Sequence, residues 1–172
     1  MRLVVAPDSF KGSLTSVEVA EALAAGWCSV RPTDFIVLAP LADGGEGTLE
    51  AIAATGAWTW QEVPATDPIG RPVIARWLLS ADRVRGCVEL ASASGLSRLG
   101  LDERDPFGAS TRGTGEVLRA VLDAGVRHVV LGIGGSATSD GGRGILEALG
   151  ARVAGGERGG GGADGADGAD GA

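Results

Sequence analysis

Three times along this chain a short apolar run gives way to a loop of glycine, hydroxyl and acidic residues, and then to a segment with helical periodicity. The runs are RLVVA (2–6), FIVLA (35–39) and RHVVLGI (127–133), and the loops are PDSFKGSLTS (7–16), PLADGGEG (40–47) and GGSATSDGG (134–142). Continuous apolar runs of this length read as strands buried in a parallel sheet. Strand–loop–helix repeats define the α/β class, in which loops beyond the carboxyl ends of strands form the ligand crevice. The first two loops are therefore expected on one rim.

The local signals fill in the rest. A helix is expected from about Ser16 to Trp27, with Thr15 as N-cap and Glu18 closing a capping box. Along it Val17, Ala20, Leu23, Ala24 and Trp27 recur at helical spacing. TLEAIAAT reads as a second helix ended by Gly56. WTWQEV and VIARWLL alternate as half-exposed strands around a DPIGRP turn, and GCVELA is a further strand. ASASGLSRL and DERDPFGAS read as irregular or briefly helical, whereas 114–124 is a helix with Thr114 as cap and Gly125 as stop. RGILEALG is the last helix. The Gly/Ala/Asp-rich end, GERGGGGADGADGADGA, has no periodicity and no large side chain, so disorder is expected there.

Charge narrows the function. A net charge of −7 without any Lys/Arg run excludes a nucleic-acid surface but leaves room for small anionic ligands. No stretch is apolar enough for a signal peptide or a membrane span, so a cytoplasmic protein without a membrane partner is expected. Cys28 and Cys87 lack metal-ligand spacing and read as two buried, reduced thiols. The lone histidine, His128, sits in a strand-like run and reads as structural.

Against that background one residue stands out. Lys11 is the only lysine among fifteen basic residues. It lies with Asp8, Ser9, Gly12 and Ser13 ahead of a helix N-terminus, a position that attracts anions. An ammonium there can follow a migrating phosphoryl group, the alternative being a capped turn with a solvated lysine. In the second loop Asp43 and Glu46 flank Gly44 and Gly45, which suits magnesium held by one or two carboxylates, or else a tight Asp-Gly turn. In the third, Gly134, Gly135, Ser136 and Thr138 precede Asp140 and offer N–H and hydroxyl donors to phosphates. That loop fits neither G-x-x-x-x-G-K-[ST] nor G-x-G-x-x-G. STRGTGEVL adds an anion-friendly helix entry at Gly113 and Thr114, with Glu116 behind it. Arg71 and Arg112 are candidate anion clamps, and Glu89 is a candidate functional acid or a strand-end residue.

Taken together, APDSFKGSLTSVEVA, PLADGGEGT, DPIGRPV, VELASASGL, STRGTGEVL and GIGGSATSDGG resemble the glycerate kinase family in order and spacing from residue 4 to about 153. The resemblance implies a two-domain α/β fold with a Rossmann-like first domain. It also implies ATP- and Mg2+-dependent phosphorylation of D-glycerate to a phosphoglycerate, in a cleft around Lys11, Asp43 and Ser136. On it, residues 1–60 are part of the Rossmann-like domain, 61–153 part of a second α/β domain, and 154–172 a disordered tail. Lys11 is assigned to the transferring phosphoryl group, and Asp43 with Glu46 to magnesium or the glycerate hydroxyls. Gly44 and Gly45 fall beside the substrate. Gly134, Gly135, Ser136 and Thr138, with Ser9, Gly12, Ser13, Gly113 and Thr114, are assigned to the nucleotide. Asp8 or Asp140 is to orient or deprotonate the attacking hydroxyl, and Arg71 to pair with the glycerate carboxylate.

Two departures accompany the resemblance. Ser139 stands where the family usually has asparagine, and family members are roughly twice this length, the first domain being finished by their C-terminal part. A truncated, catalytically silent chain that at most binds nucleotide or a small phosphorylated ligand is therefore the alternative, with an unpaired sheet edge open to self-association. A phosphosugar-binding module without transfer is the third reading.

Overall fold

The computed structural model describes residues 1–152; the expected disordered tail lies outside the described residues. Arg2–Val5 (β1) and Phe35–Leu38 (β2) pair in parallel, with Val4 beside Val37 and Val5 beside Leu38. Between them runs Ser16–Val30 (α1), a turn longer than its sequence pattern indicates, and Thr48–Ala53 (α2) comes after β2. The capping box of α1 is complete: Glu18 N donates to Thr15 Oγ1 at 3.2 Å, and Thr15 N to Glu18 Oε2 at 2.8 Å. At the far end Asp34 collects Arg31 Nε and the Met1 amino group, each at 2.7 Å, and Trp27 Nε1 at 3.1 Å. The Arg31 hydrogen bond, then that of the amino terminus, holds the Asp34 carboxyl well below the usual carboxylate range. This clasp ties the end of α1 to the starts of both strands.

Two expectations fail here for one reason. β1 and β2 are not buried on both faces: Val5 is buried, but Val4, Phe35 and Leu38 are 58%, 62% and 44% exposed. A two-stranded sheet covers only a narrow stripe of α1, which leaves Leu23 exposed and Cys28 at the surface, whereas Cys87 is buried in the strand Arg85–Glu89.

The larger sheet contains Trp58–Thr66 (β3), Pro72–Ser80 (β4), Arg85–Glu89 (β5) and His128–Gly132 (β6), in that spatial order. β3, β4 and β5 are successive antiparallel neighbours, and β6 is parallel to β5. The β3–β4 turn is the expected one, closed by Gly70 N on the Asp67 carbonyl at 3.1 Å. After β5 come Ala91–Ser94 (α3), two single 3₁₀ turns at Leu96–Arg98 and Leu101–Glu103, and Arg112–Asp123 (α4). Arg143–Ala148 (α5) lies beyond β6.

Strand alternation distributes the core. Ala75, Trp77, Leu79 and Val88 face α4 and meet Val117, Val121 and Val126. On the opposite face Leu78 and Cys87 meet Leu49 of α2, with Ile52, Ala53 and Trp58 beside them. α2 thus packs on the larger sheet, so a division at residue 60 runs through this cluster.

α4 begins two residues before its expected start. Thr114 is consequently not the cap but a fully buried first-turn residue whose hydroxyl bonds Ser94 Oγ at 2.9 Å; Thr111 holds the cap position. Gly113 serves close packing: a Cβ there would fall 1.8 Å from the Thr66 carbonyl oxygen. Gly113→Ala is expected to lower stability by about 3 kcal/mol or more, the upper end for an overpacked core. Urea denaturation reads this as a lower midpoint at unchanged m-value.

Candidate functional site

The β1–α1 loop folds into a tight turn in which Ser13 N and Leu14 N both donate to the Phe10 carbonyl, at 2.8 and 3.1 Å, with Lys11 and Gly12 at its tip. That tip faces the β2–α2 loop across a cavity of about 410 Å3. Asp8, Ser9, Lys11, Gly12 and Ser13 line it from one side, Asp43, Gly45 and Glu46 from another, and Gly135 of the third loop closes it. The first two loops do share a rim, and the ammonium and the third loop open on one concavity.

The second and third loops meet backbone to backbone. Gly134 N donates to the Gly44 carbonyl at 2.9 Å. A Cβ on Gly132 would lie 2.6 Å from Gly44 O, and one on Gly134 would lie 2.6 Å from Gly45 N. Gly44 itself sits at φ 93°, a conformation that side chains resist. Leu96 N to Gly135 O and Ala137 N to Ser94 O, at 2.8 and 3.0 Å, fix the same loop to the segment after β5. The glycines are there because two main chains touch. The free donors are informative: among the described residues the N–H groups of Lys11, Gly12 and Gly135 have no protein acceptor and border the cavity. Unpaired N–H groups beside an ammonium make an anion-binding concavity.

Asp43 spends one carboxylate oxygen on Gly45 N at 2.8 Å, while Glu46 lies against Gly135. Among the described residues no three His, Cys, Asp or Glu side chains form a metal cage. Two carboxylates on one wall suit a magnesium ion that keeps waters and phosphate oxygens as its other ligands.

Other sequence candidates sit elsewhere. Asp140 accepts from Thr111 N and Oγ1 at 2.8 and 2.9 Å and from Gly142 N and Gly144 N at 3.0 and 3.1 Å, capping α5 and tying it to α4. Burial opposes its ionisation, but the Thr111 and glycine donors outweigh that and keep its carboxyl low. Arg71 is held by Asp67 at 2.5 Å, Glu103 at 2.6 Å and the Arg98 carbonyl at 3.0 Å, clasping the hairpin turn rather than facing the cavity. Gly113 and Thr114 are buried under β3, Arg112 pairs with Glu116 at 3.2 Å, and Ser136 and Thr138 bond each other at 2.8 Å outside the cavity wall.

Glu89 ends β5, buried, with Leu49 N donating to its Oε2 at 3.2 Å. Burial pushes its carboxyl up to about 7, with Glu50 and Glu46 adding to the rise and the Leu49 and Thr48 N–H groups opposing it. The folded chain therefore keeps a proton between about pH 4.5 and 7 that the unfolded chain releases. The stability tied to this group is full below that window and is lost as pH rises through it, by on the order of 3 kcal/mol. Glu89→Gln is expected to flatten this slope, read by urea midpoints from pH 5 to 8.

Sequence reasoning passed over Arg76 and Arg98. They line a second cavity, also about 410 Å3, that shares Thr15, Glu46 and Gly47 with the first. The available signal was the arginine on the polar phase of VIARWLL. No helix among the described residues is long and apolar enough to cross a membrane.

Known proteins are similar to this chain in sequence and in fold. The family model described as "Glycerate kinase family" matches residues 3–166. The chain is 43% identical over 153 residues to a glycerate 2-kinase of Escherichia coli (strain K12), covering 89% of this chain and 40% of the relative. It is 46% identical over 154 residues to a glycerate kinase of Bacillus subtilis (strain 168), with the same coverages. A crystal structure of a glycerate kinase 2 candidate from Salmonella typhimurium LT2 superposes with a TM-score of 0.74 at 46% identity, over 87% of this chain and 40% of that one. The chain thus spans about two fifths of the length of the relatives it matches.

Proposed function

The chain belongs to the glycerate kinase family, and from that premise we propose that it carries the phosphate-handling loops of an ATP-dependent kinase acting on D-glycerate. The observation that supports this most is the single cavity on which Lys11, the Asp43 and Glu46 carboxylates and the free Gly135 N–H converge.

Phosphoryl transfer asks a protein for positioning and charge neutralisation rather than covalent chemistry. The N–H groups of Lys11, Gly12 and Gly135 hold phosphate oxygens, and the Lys11 ammonium stays with the transferring group as its charge redistributes. Asp43 and Glu46 would hold magnesium, which when bound offsets negative charge on the phosphates. Asp8, on the same wall, orients the attacking hydroxyl and receives its proton. Glycerate-dependent ADP formation by this chain, with Lys11→Ala as control, tests the reading. It stands if ADP forms and the control slows it by about 100-fold or more. A control within a few-fold of the wild type would remove Lys11 from the mechanism.

The exposed apolar residues of β1 and β2 favour a second reading, a chain that binds nucleotide without turning it over. It predicts that Mg·ATP raises the unfolding midpoint while no ADP appears.

A further inference from the structure

The second cavity lies next to the first, and the two share the wall of Thr15, Glu46 and Gly47. We propose that it is the acceptor subsite, taking a small hydroxy monocarboxylate with its carboxylate on the Arg98 guanidinium and its hydroxyl end toward the shared wall. This rests on the kinase reading above and adds to it where the acceptor lies and what selects it.

The charge arrangement supports the choice of Arg98. Arg71, the clamp expected from the sequence, is saturated by Asp67 and Glu103. Arg76 is committed to Glu50 at 2.9 Å and stacks over Trp60, 4.4 Å from the ring centroid. Arg98 has no carboxylate partner among the described residues. One Nη donates to the Ser92 carbonyl at 2.5 Å, which orients the guanidinium and leaves most of its five N–H donors unspent. A planar fork held by one bond and free along another edge is the geometry that takes a carboxylate in two hydrogen bonds.

The remainder of the wall restricts the rest of the acceptor molecule. Glu46, Glu50 and Glu89 border the same space. Glu46 accepts hydrogen bonds from ligand hydroxyls and repels a second anionic group, whereas Glu50 is paired with Arg76 and the buried Glu89 holds its proton up to about pH 7. The subsite therefore favours a hydroxy monocarboxylate over a dicarboxylate. It also disfavours the phosphorylated product, whose added charge faces Glu46.

The test is calorimetric titration of the full chain with D-glycerate, with tartronate as a dicarboxylate of similar size, and separately with Mg·ADP. D-glycerate is expected to bind, tartronate about tenfold more weakly or worse, and Arg98→Gln to weaken D-glycerate by about tenfold or more with Mg·ADP within twofold. Arg98→Lys should restore only part of the loss, since it keeps the charge without the fork. Should the variants fold poorly, phenylglyoxal labelling of the wild type, read by mass spectrometry, replaces them: D-glycerate should protect Arg98 and leave Arg71 unaffected. D-glycerate binding equally to wild type and Arg98→Gln, or no protection of Arg98, overturns the subsite and leaves the kinase reading intact. Mg·ADP binding without D-glycerate binding also overturns it. Binding of neither removes the kinase reading and the subsite with it.

Discussion

Gly134→Ala is expected to abolish Mg·ATP binding and to lower the unfolding midpoint, although position 134 does not itself line the cavity. A Cβ there would lie 2.6 Å from Gly45 N and 2.7 Å from Gly45 Cα, both main-chain atoms with no side-chain freedom to yield. The 2.9 Å bond from Gly134 N to the Gly44 carbonyl lies in the same contact. Relief requires the β2–α2 and β6–α5 loops to part, carrying Glu46 away from Gly135. Overpacking of this kind costs about 1–3 kcal/mol, and each kcal/mol lowers Tm by about 2–4 °C in a chain of this size. The larger effect is on binding, because the anion-holding groups come from both loops. Thermal denaturation with and without Mg·ATP separates the two: a lower midpoint and no nucleotide-induced rise. Gly12→Ala is the contrast, since a Cβ there meets nothing within 4 Å. With φ 78° it carries only local backbone strain of about 1 kcal/mol.

Lys11→Met is expected to weaken triphosphate binding by about tenfold to a hundredfold, the worth of a charge-assisted hydrogen bond of roughly 1.5–3 kcal/mol. Methionine keeps much of the stem and removes the charge, so folding should be unchanged. Lys11→Arg is the sharper comparison. The chain uses arginine at every other basic position, so retention of lysine here points to the compact ammonium rather than to positive charge as such. A guanidinium is broader and planar, and at a turn tip facing Glu46 and Gly135 it should recover binding only in part and turnover hardly at all. Titration with Mg·ATP and the coupled assay for ADP report the two quantities separately.

What the sequence made legible was local. The α1 cap is Thr15 and Glu18 three residues apart, and both bonds form. The β3–β4 turn and the apolar-run-to-glycine-loop pattern likewise act within a few residues, and they sufficed to place the first two loops on a shared rim. The hidden features depend on partners distant in the chain. Arg71 looked like a free clamp because Glu103, thirty-two residues away, gives no local sign of reaching it. Asp140 looked free to orient or deprotonate the attacking hydroxyl because Thr111, which holds it, lies twenty-nine residues before it. The third loop read as a phosphate cradle on composition alone, whereas much of its glycine content answers to contact with Gly44 and Gly45. Leu23 was placed inside on a helical period, and Cys28 as one of two reduced thiols without metal-ligand spacing; neither signal says how much of the helix the underlying sheet covers.

The central claim is that three loops remote in sequence act as one anion-holding unit around Lys11. Amide chemical shifts of the chain during titration with the magnesium complex of a non-hydrolysable ATP analogue test it most directly. The N–H signals of Lys11, Gly12 and Gly135 should move together along one binding isotherm, and none should move in Gly134→Ala. Movement of Lys11 and Gly12 with Gly135 unperturbed, or saturation of the two loops at different concentrations, would contradict it.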